Sequence, residues 1–99
     1  MNIKLLNKGT EGEALLEGSM DSVTTPQAET MLMELVPRFE KLTLNLASLE
    51  YISSRGLRTL KVLHIAMKKK GGKLVLKNVS ASVMEIFEIT GFAGMLQFE

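Results

Sequence analysis

The sequence predicts an α/β fold: a mixed four- to five-stranded sheet with an N-terminal hairpin, a βαβ unit and helices packed against it. Three observations carry this prediction. Leu42, Leu44 and Leu46 alternate with Thr43 and Asn45, the period of two of a strand with one face more buried than the other. From Ser54 to Lys70, Leu57, Leu60, Leu63, His64 and Met67 fall within one arc at helical spacing, with no proline between. Lys73 to Lys77, centred on Leu74, Val75 and Leu76, reads as a buried strand. Strand, helix, strand in that order is a βαβ unit, whose two strands lie parallel with a right-handed crossover.

The remaining elements follow from local chemistry. Ile3 to Leu6 and Glu13 to Glu17 are short apolar segments around Asn7 to Gly12, whose glycines suit a turn, so a hairpin is expected. Thr24-Thr25-Pro26-Gln27 reads as a helix start with Thr25 as the cap, because proline is tolerated at the first helical position. Ala28, Met31, Leu32, Leu35 and Val36 continue that helix until Pro37 disfavours helical geometry before it. Gly71-Gly72 ends the long helix, and Lys68-Lys69-Lys70 suit the negative end of its dipole. A last helix is expected from Ser80 to about Ile89, with Val83, Ile86, Phe87 and Thr90 inward and Gly91 past its end. Met95 to Phe98 is read as a final edge strand.

Composition narrows the function classes. The 99 residues are the size of one domain spanning 1–99, and 45% hydrophobic with 23% charged residues suits a globular chain. Twelve Lys plus Arg against 11 Asp plus Glu is too balanced for a protein held to nucleic acid by phosphate neutralisation. The absence of cysteine removes disulfides, thiol nucleophiles and thiolate metal sites, which fits a reducing compartment. No stretch has the apolar length of a signal peptide or membrane span, so a cytoplasmic chain without membrane partners is expected.

In an open α/β sheet, function gathers where a loop leaves the carboxyl end of a strand and enters a helix. Here that loop is read as Ala47 to Ser53, and it delivers Ser53-Ser54-Arg55-Gly56-Leu57-Arg58 to a helix N-terminus. Free backbone N–H groups there stabilise a negative group such as a phosphate. Gly56 costs about 1 kcal/mol relative to alanine inside a helix, which suggests a close approach to that backbone. The alternative is that Ser53 or Ser54 caps the helix and Gly56 packs against the sheet.

The segment Leu44 to Arg58 resembles the signature of STAS domains, specifically of bacterial anti-sigma factor antagonists. Gly18-Ser19-Met20-Asp21 is similar to their Gly-x-Leu-Asp turn, Gly71-Gly72-Lys73-Leu74 to their helix-to-strand turn, and Ile89-Thr90-Gly91-Phe92 to their C-terminal element. The resemblance implies a non-enzymatic switch. An anti-sigma factor that is also a serine kinase, of the histidine-kinase-like ATPase type, binds the unmodified antagonist and releases its sigma factor. The kinase then phosphorylates one serine, which ends binding, and a metal-dependent serine phosphatase restores the first state. The phosphorylated position corresponds to Ser54, and Asp21, Ser53, Ser54, Arg55, Gly56, Leu57 and Arg58 become the partner-binding set. Ser53 stands where the family often has aspartate, Arg55 where it often has Ser, Thr or Ala, and Ser48 where many members are acidic. The alternative within the fold is an accessory or scaffold subunit, of a lipid transporter or stress-signalling assembly, whose binding ignores Ser54.

Nothing in the residue spacing asks for a cofactor or metal ion, and no catalytic set emerges. His64, the only histidine, reads as a partly buried core residue, because no second ligand or oriented carboxylate accompanies it. As a base for Ser54 it would sit about 15 Å along the same helix, too far for a hydrogen bond. Val62, Ile65 and Ala66 lie off the main apolar arc and fit either a second packing layer or a partner surface. The methionines, Met31 and Met33 among them, read as core filling.

Overall fold

The parity of the leucines on the strands decides how the chain is layered. A computed structural model describes residues Met1–Glu99. It shows β1 (Asn2–Lys8), β2 (Glu11–Met20), α1 (Thr25–Met33), a 3₁₀ turn Val36–Arg38, β3 (Lys41–Ile52), α2 (Ser54–Lys69), β4 (Lys73–Lys77), α3 (Ala81–Thr90) and a 3₁₀ turn Phe92–Gly94. The four strands form one sheet in the order β1-β2-β3-β4, with β1 antiparallel to β2 and the other pairs parallel. Both β2-α1-β3 and β3-α2-β4 are therefore βαβ units, one more than the sequence pattern indicates. Ala14, Leu16, Leu42, Leu44, Leu46, Leu74 and Leu76 share a single buried core with Leu32, Leu60, Leu63, Val83 and Phe87, so all three helices contribute to one face of the sheet.

Several expectations are corrected. The hairpin strands run to Lys8 and restart at Glu11, leaving only Gly9 and Thr10 as the turn. Thr25 is not the cap. It is the first helical residue, Thr24 holds the cap position without a side-chain bond into the helix, and Asp21 Oδ1 accepts from the Val23 and Thr24 N–H groups in the turn before it. The helix ends at Met33, and Pro37 sits in the 3₁₀ turn after it. Met95 to Phe98 is no strand: only Leu76 and Phe98 form a bridge, so the sheet has four strands. Thr90 is exposed and returns its hydroxyl to the Ile86 carbonyl. Lys70 does more than meet the helix dipole, because its ammonium donates to the carbonyls of Val36 at 2.7 Å and Phe39 at 2.9 Å.

The largest correction concerns 47–53. The chain from Ala47 to Ile52 is the second half of β3, not a loop. Between Leu15/Asn45 and Glu17/Ser48, and again between Gly18/Leu49 and Ser19/Tyr51, β3 advances one residue more than β2. Each bulge inverts the side-chain parity. Leu46, Leu49 and Ile52 therefore all face the core at intervals of three, a spacing that resembles no regular strand.

The other face of the sheet carries Glu13, Thr43, Asn45 and Lys77 beside the apolar Leu6, Leu15 and Val75. Glu13, 7% exposed, accepts from Lys77 at 2.8 Å, Asn45 at 3.1 Å and Lys8 at 3.4 Å. The Lys77 hydrogen bond, ahead of the others, lowers its carboxyl from 4.5 to about 2. A depressed carboxylate contributes stability in full above its unfolded value and loses it as pH falls through its folded one. Stability should therefore decline as pH drops from 4.5 toward about 2. Glu13→Gln should be about 1–3 kcal/mol less stable at neutral pH and flatter across that window. Some slope remains from Asp21 and Glu99, which are also depressed. Urea melts through the window test this, and an unchanged slope in the variant contradicts it.

No helix is long and apolar enough to cross a membrane.

Candidate phosphoacceptor cleft

β2 and β3 end side by side, with Met20 in register with Ile52. From this edge one chain segment turns through Asp21–Thr24 into α1 and the other passes Ser53 into α2. Because both connections leave the same end of the sheet, the two helix N-termini are neighbours. The Ser53 N–H donates to the Met20 carbonyl at 2.8 Å, which locks the two turns together.

The adjacent serines have different jobs. Ser53 is half-buried in extended geometry, and its Oγ accepts from the Gly56 N–H at 3.3 Å while its carbonyl accepts from Leu57 N at 2.9 Å. It is the N-cap of α2. Ser54 begins the helix, is exposed, and takes no part in this capping. Its hydroxyl is open to solvent at the positive end of the helix dipole.

Gly56 is explained by packing. A Cβ there would stand 2.7 Å from Ile52 Cγ1, 3.0 Å from Met20 Cβ and 3.2 Å from the Met20 carbonyl oxygen. Glycine lets α2 begin directly against the ends of β2 and β3, so what approaches that backbone closely is the sheet itself. Leu57, 4% exposed, also turns inward and belongs to the core. Of the residues singled out from sequence, Ser54, Arg55 and Arg58 present side chains outward, whereas Gly56 and Leu57 set the position of the helix.

Asp21 shapes the other turn. Its Oδ1 accepts from the Val23 and Thr24 N–H groups, each at 2.9 Å, and from the Thr24 hydroxyl at 3.2 Å. These bonds, the Thr24 backbone first and the Val23 backbone second, hold its carboxyl below the usual aspartate range. Ser48, exposed, lies within β3 opposite Glu17 rather than in a loop.

Between α1 and α2 runs an open cleft of about 1210 Å³, lined by Ser54, Arg55, Arg58 and Val62 on one side and by Glu29 and Met33 on the other. Buried Thr59 donates to Glu29 Oε1 at 3.1 Å and ties the helices together. None of the four ion pairs in the chain involves Arg55 or Arg58. Sequence reasoning did not place Glu29 here. The signal available was its position off the Ala28, Leu32 and Leu35 arc. Met33, read as core filling, lines the cleft, and Met31 is 42% exposed, whereas Met20 and Met67 are fully buried. Val62 belongs to this surface and Ile65 is 40% exposed, so both depart from a purely internal role. His64 is half-buried and lines a different depression, with Lys68, Gly72 and Lys73 near the start of β4. No imidazole stands beside Ser54.

The family model for the STAS domain matches residues 14–99. The chain belongs to the STAS domain family. It is 38% identical over 80 residues to a Bordetella bronchiseptica protein named as an anti-sigma factor antagonist, BtrV, covering 80% of this chain and 69% of that one. It is 29% identical over 98 residues to the anti-sigma-B factor antagonist of Bacillus subtilis, covering 97% and 90%. The fold of this STAS domain is also that of a Thermotoga maritima structure described as an anti-sigma factor antagonist, with TM-score 0.89, 13% identity and coverage of 97% and 84%. Bacillus SpoIIAA in its phosphorylated form shares the fold at TM-score 0.76 with 15% identity, covering 99% and 91%.

Proposed function

We propose that this STAS chain is an anti-sigma factor antagonist that works by partner switching in the cytoplasm, as a binding module rather than an enzyme. Unphosphorylated, it binds an anti-sigma factor that is also a serine kinase of the histidine-kinase-like ATPase type, and the sigma factor is freed. Phosphorylation of Ser54 ends that binding, and a metal-dependent serine phosphatase restores it. The contact surface is formed by Asp21, Ser53, Ser54, Arg55 and Arg58, held in place by Gly56 and Leu57.

The observation that carries this reading is the division of labour between the two serines. Ser53 is committed to the cap, while Ser54 offers a free hydroxyl at the mouth of a cleft. A phosphate on Ser54 adds about −1.5 to −2 charges where the helix dipole favours them, so the fold tolerates it. The partner complex does not, because a dianion buried in an interface must be desolvated. The names of the relatives support the antagonist role.

Site-resolved mass spectrometry of the chain purified from its native host tests the acceptor. The expected result is phosphate on Ser54 and none on Ser53. Phosphate on Ser53 alone, or an unmodified chain under every growth condition, contradicts the reading.

A further inference from the structure

Arg58 follows Ser54 by four residues on α2, and residues so spaced are neighbours on a helix surface. Both line the same cleft, and Arg58 has no ion-pair partner in the unmodified chain. We infer that a phosphate on Ser54 is gripped by Arg58 across one helical turn, so that modification both adds charge and withdraws an arginine from the cleft surface. The inference rests on the proposed switch only in taking Ser54 as the modified residue.

The chemistry favours the pair. A guanidinium presents parallel N–H donors that match two phosphate oxygens, and such charge-assisted bonds are about twice as strong as neutral ones. The order also suits the helix, with the anion one turn nearer the N-terminus than the cation. Arg55 lines the cleft too, but adjacent residues on a helix do not face each other, so its share is smaller. Across the cleft, Glu29 of α1 and Glu34 just after its end oppose the dianion and compete for the arginines. Glu29 is already occupied in part by the Thr59 hydroxyl. In the turn before α1, Asp21 directs its Oδ1 at the Val23 and Thr24 N–H groups, and the Met1 ammonium lies near enough to act on it. The net sign at the phosphate is thus set by two arginines and the helix dipole against two glutamates and one engaged aspartate. An arginine bonded to the phosphate favours the dianion and lowers its second ionisation.

The consequence for switching is specific. In the unmodified chain Arg58 is available to a carboxylate or carbonyl of the partner. In the phosphorylated chain the same guanidinium is occupied internally, and the partner loses a donor as well as meeting a new charge.

The test uses the full chain with phosphoserine installed at position 54 by genetic encoding, so no kinase is required. Phosphorus NMR then follows the titration of the phosphate in the parent, Arg58→Gln and Arg55→Gln forms. The glutamine variants keep the helix dipole, so a difference from the parent isolates each arginine. Arg58→Gln should raise the midpoint by about 0.2–0.4 unit, the range one helix ion pair of this spacing supplies. Arg55→Gln should move it by less than half of that. An Arg58→Gln midpoint equal to the parent's, or a larger shift from Arg55→Gln, overturns the inference. Both arginines are exposed, so neither variant threatens the fold. Failure of this titration leaves the switch standing, whereas failure of the phosphosite mapping removes the switch and leaves the titration readable.

Discussion

Ser54→Asp is expected to melt at the parent's temperature and to bind the anti-sigma kinase at least about 100-fold more weakly, a difference near 2.7 kcal/mol. The two halves have separate causes. Ser54 is exposed and outside the Ser53 capping bonds, so its replacement removes no internal contact. An aspartate in the first helical turn is favoured by the dipole by about 0.3–1 kcal/mol, enough to offset the small intrinsic preference against it in helices. In the complex the same carboxylate must be stripped of water against the partner surface, which costs binding free energy. A single charge understates the phosphate, so phosphoserine should weaken binding further. Thermal melts followed by circular dichroism, with calorimetry against purified kinase, measure both halves. A variant that unfolds, or one that binds as tightly as the parent, contradicts the account.

Leu57→Ala is expected to cost about 2–5 kcal/mol of folding stability, the range for truncating a leucine in a closely packed core. Leu57 is 4% exposed and belongs to the same core as Leu60 and Leu63. Its loss opens a cavity where α2 starts, beside the Gly56 contact with Met20 and Ile52. The sheet and helix ends there are locked by backbone bonds, so collapse into the cavity is restricted. Urea denaturation reads the loss directly. Where the variant remains folded its affinity for the kinase should stay within a few-fold of the parent's, because the side chain offers no surface. A variant of unchanged stability that had lost binding would return Leu57 to the interface.

Leu57 also marks the limit of what was legible in the sequence. Helix α2, β4 and α3 could be read because their boundaries are set by neighbours in the chain. Ser53 and Ser80 cap their helices, Gly91 ends α3 in the left-handed conformation at φ 82°, and Lys73–Lys77 is bounded by turns. The second half of β3 could not, because two bulges imposed by pairing with β2 replace the alternating pattern with Leu46, Leu49 and Ile52. The start of α1 was misplaced for a related reason, since the Thr25 N–H that opens the helix donates to the Asp21 carbonyl, four residues back. Within the site, Ser54, Arg55 and Arg58 were accessible because they are contiguous. Glu29 and Met33 join them only through the tertiary packing of α1 on α2, which follows from two parallel crossovers of which the pattern indicated one. The resemblance placed Gly56 and Leu57 in the binding set, and burial assigns them to positioning it.

The most direct measurement is a pull-down from native-host lysate with the parent chain and Ser54→Asp side by side, in ATP or ADP, with retained proteins identified by mass spectrometry. The account predicts that the parent alone retains a histidine-kinase-like ATPase. Retention of the same transporter or scaffold components by both forms, or of no kinase by either, contradicts it and leaves Ser54 as an ordinary first residue of α2.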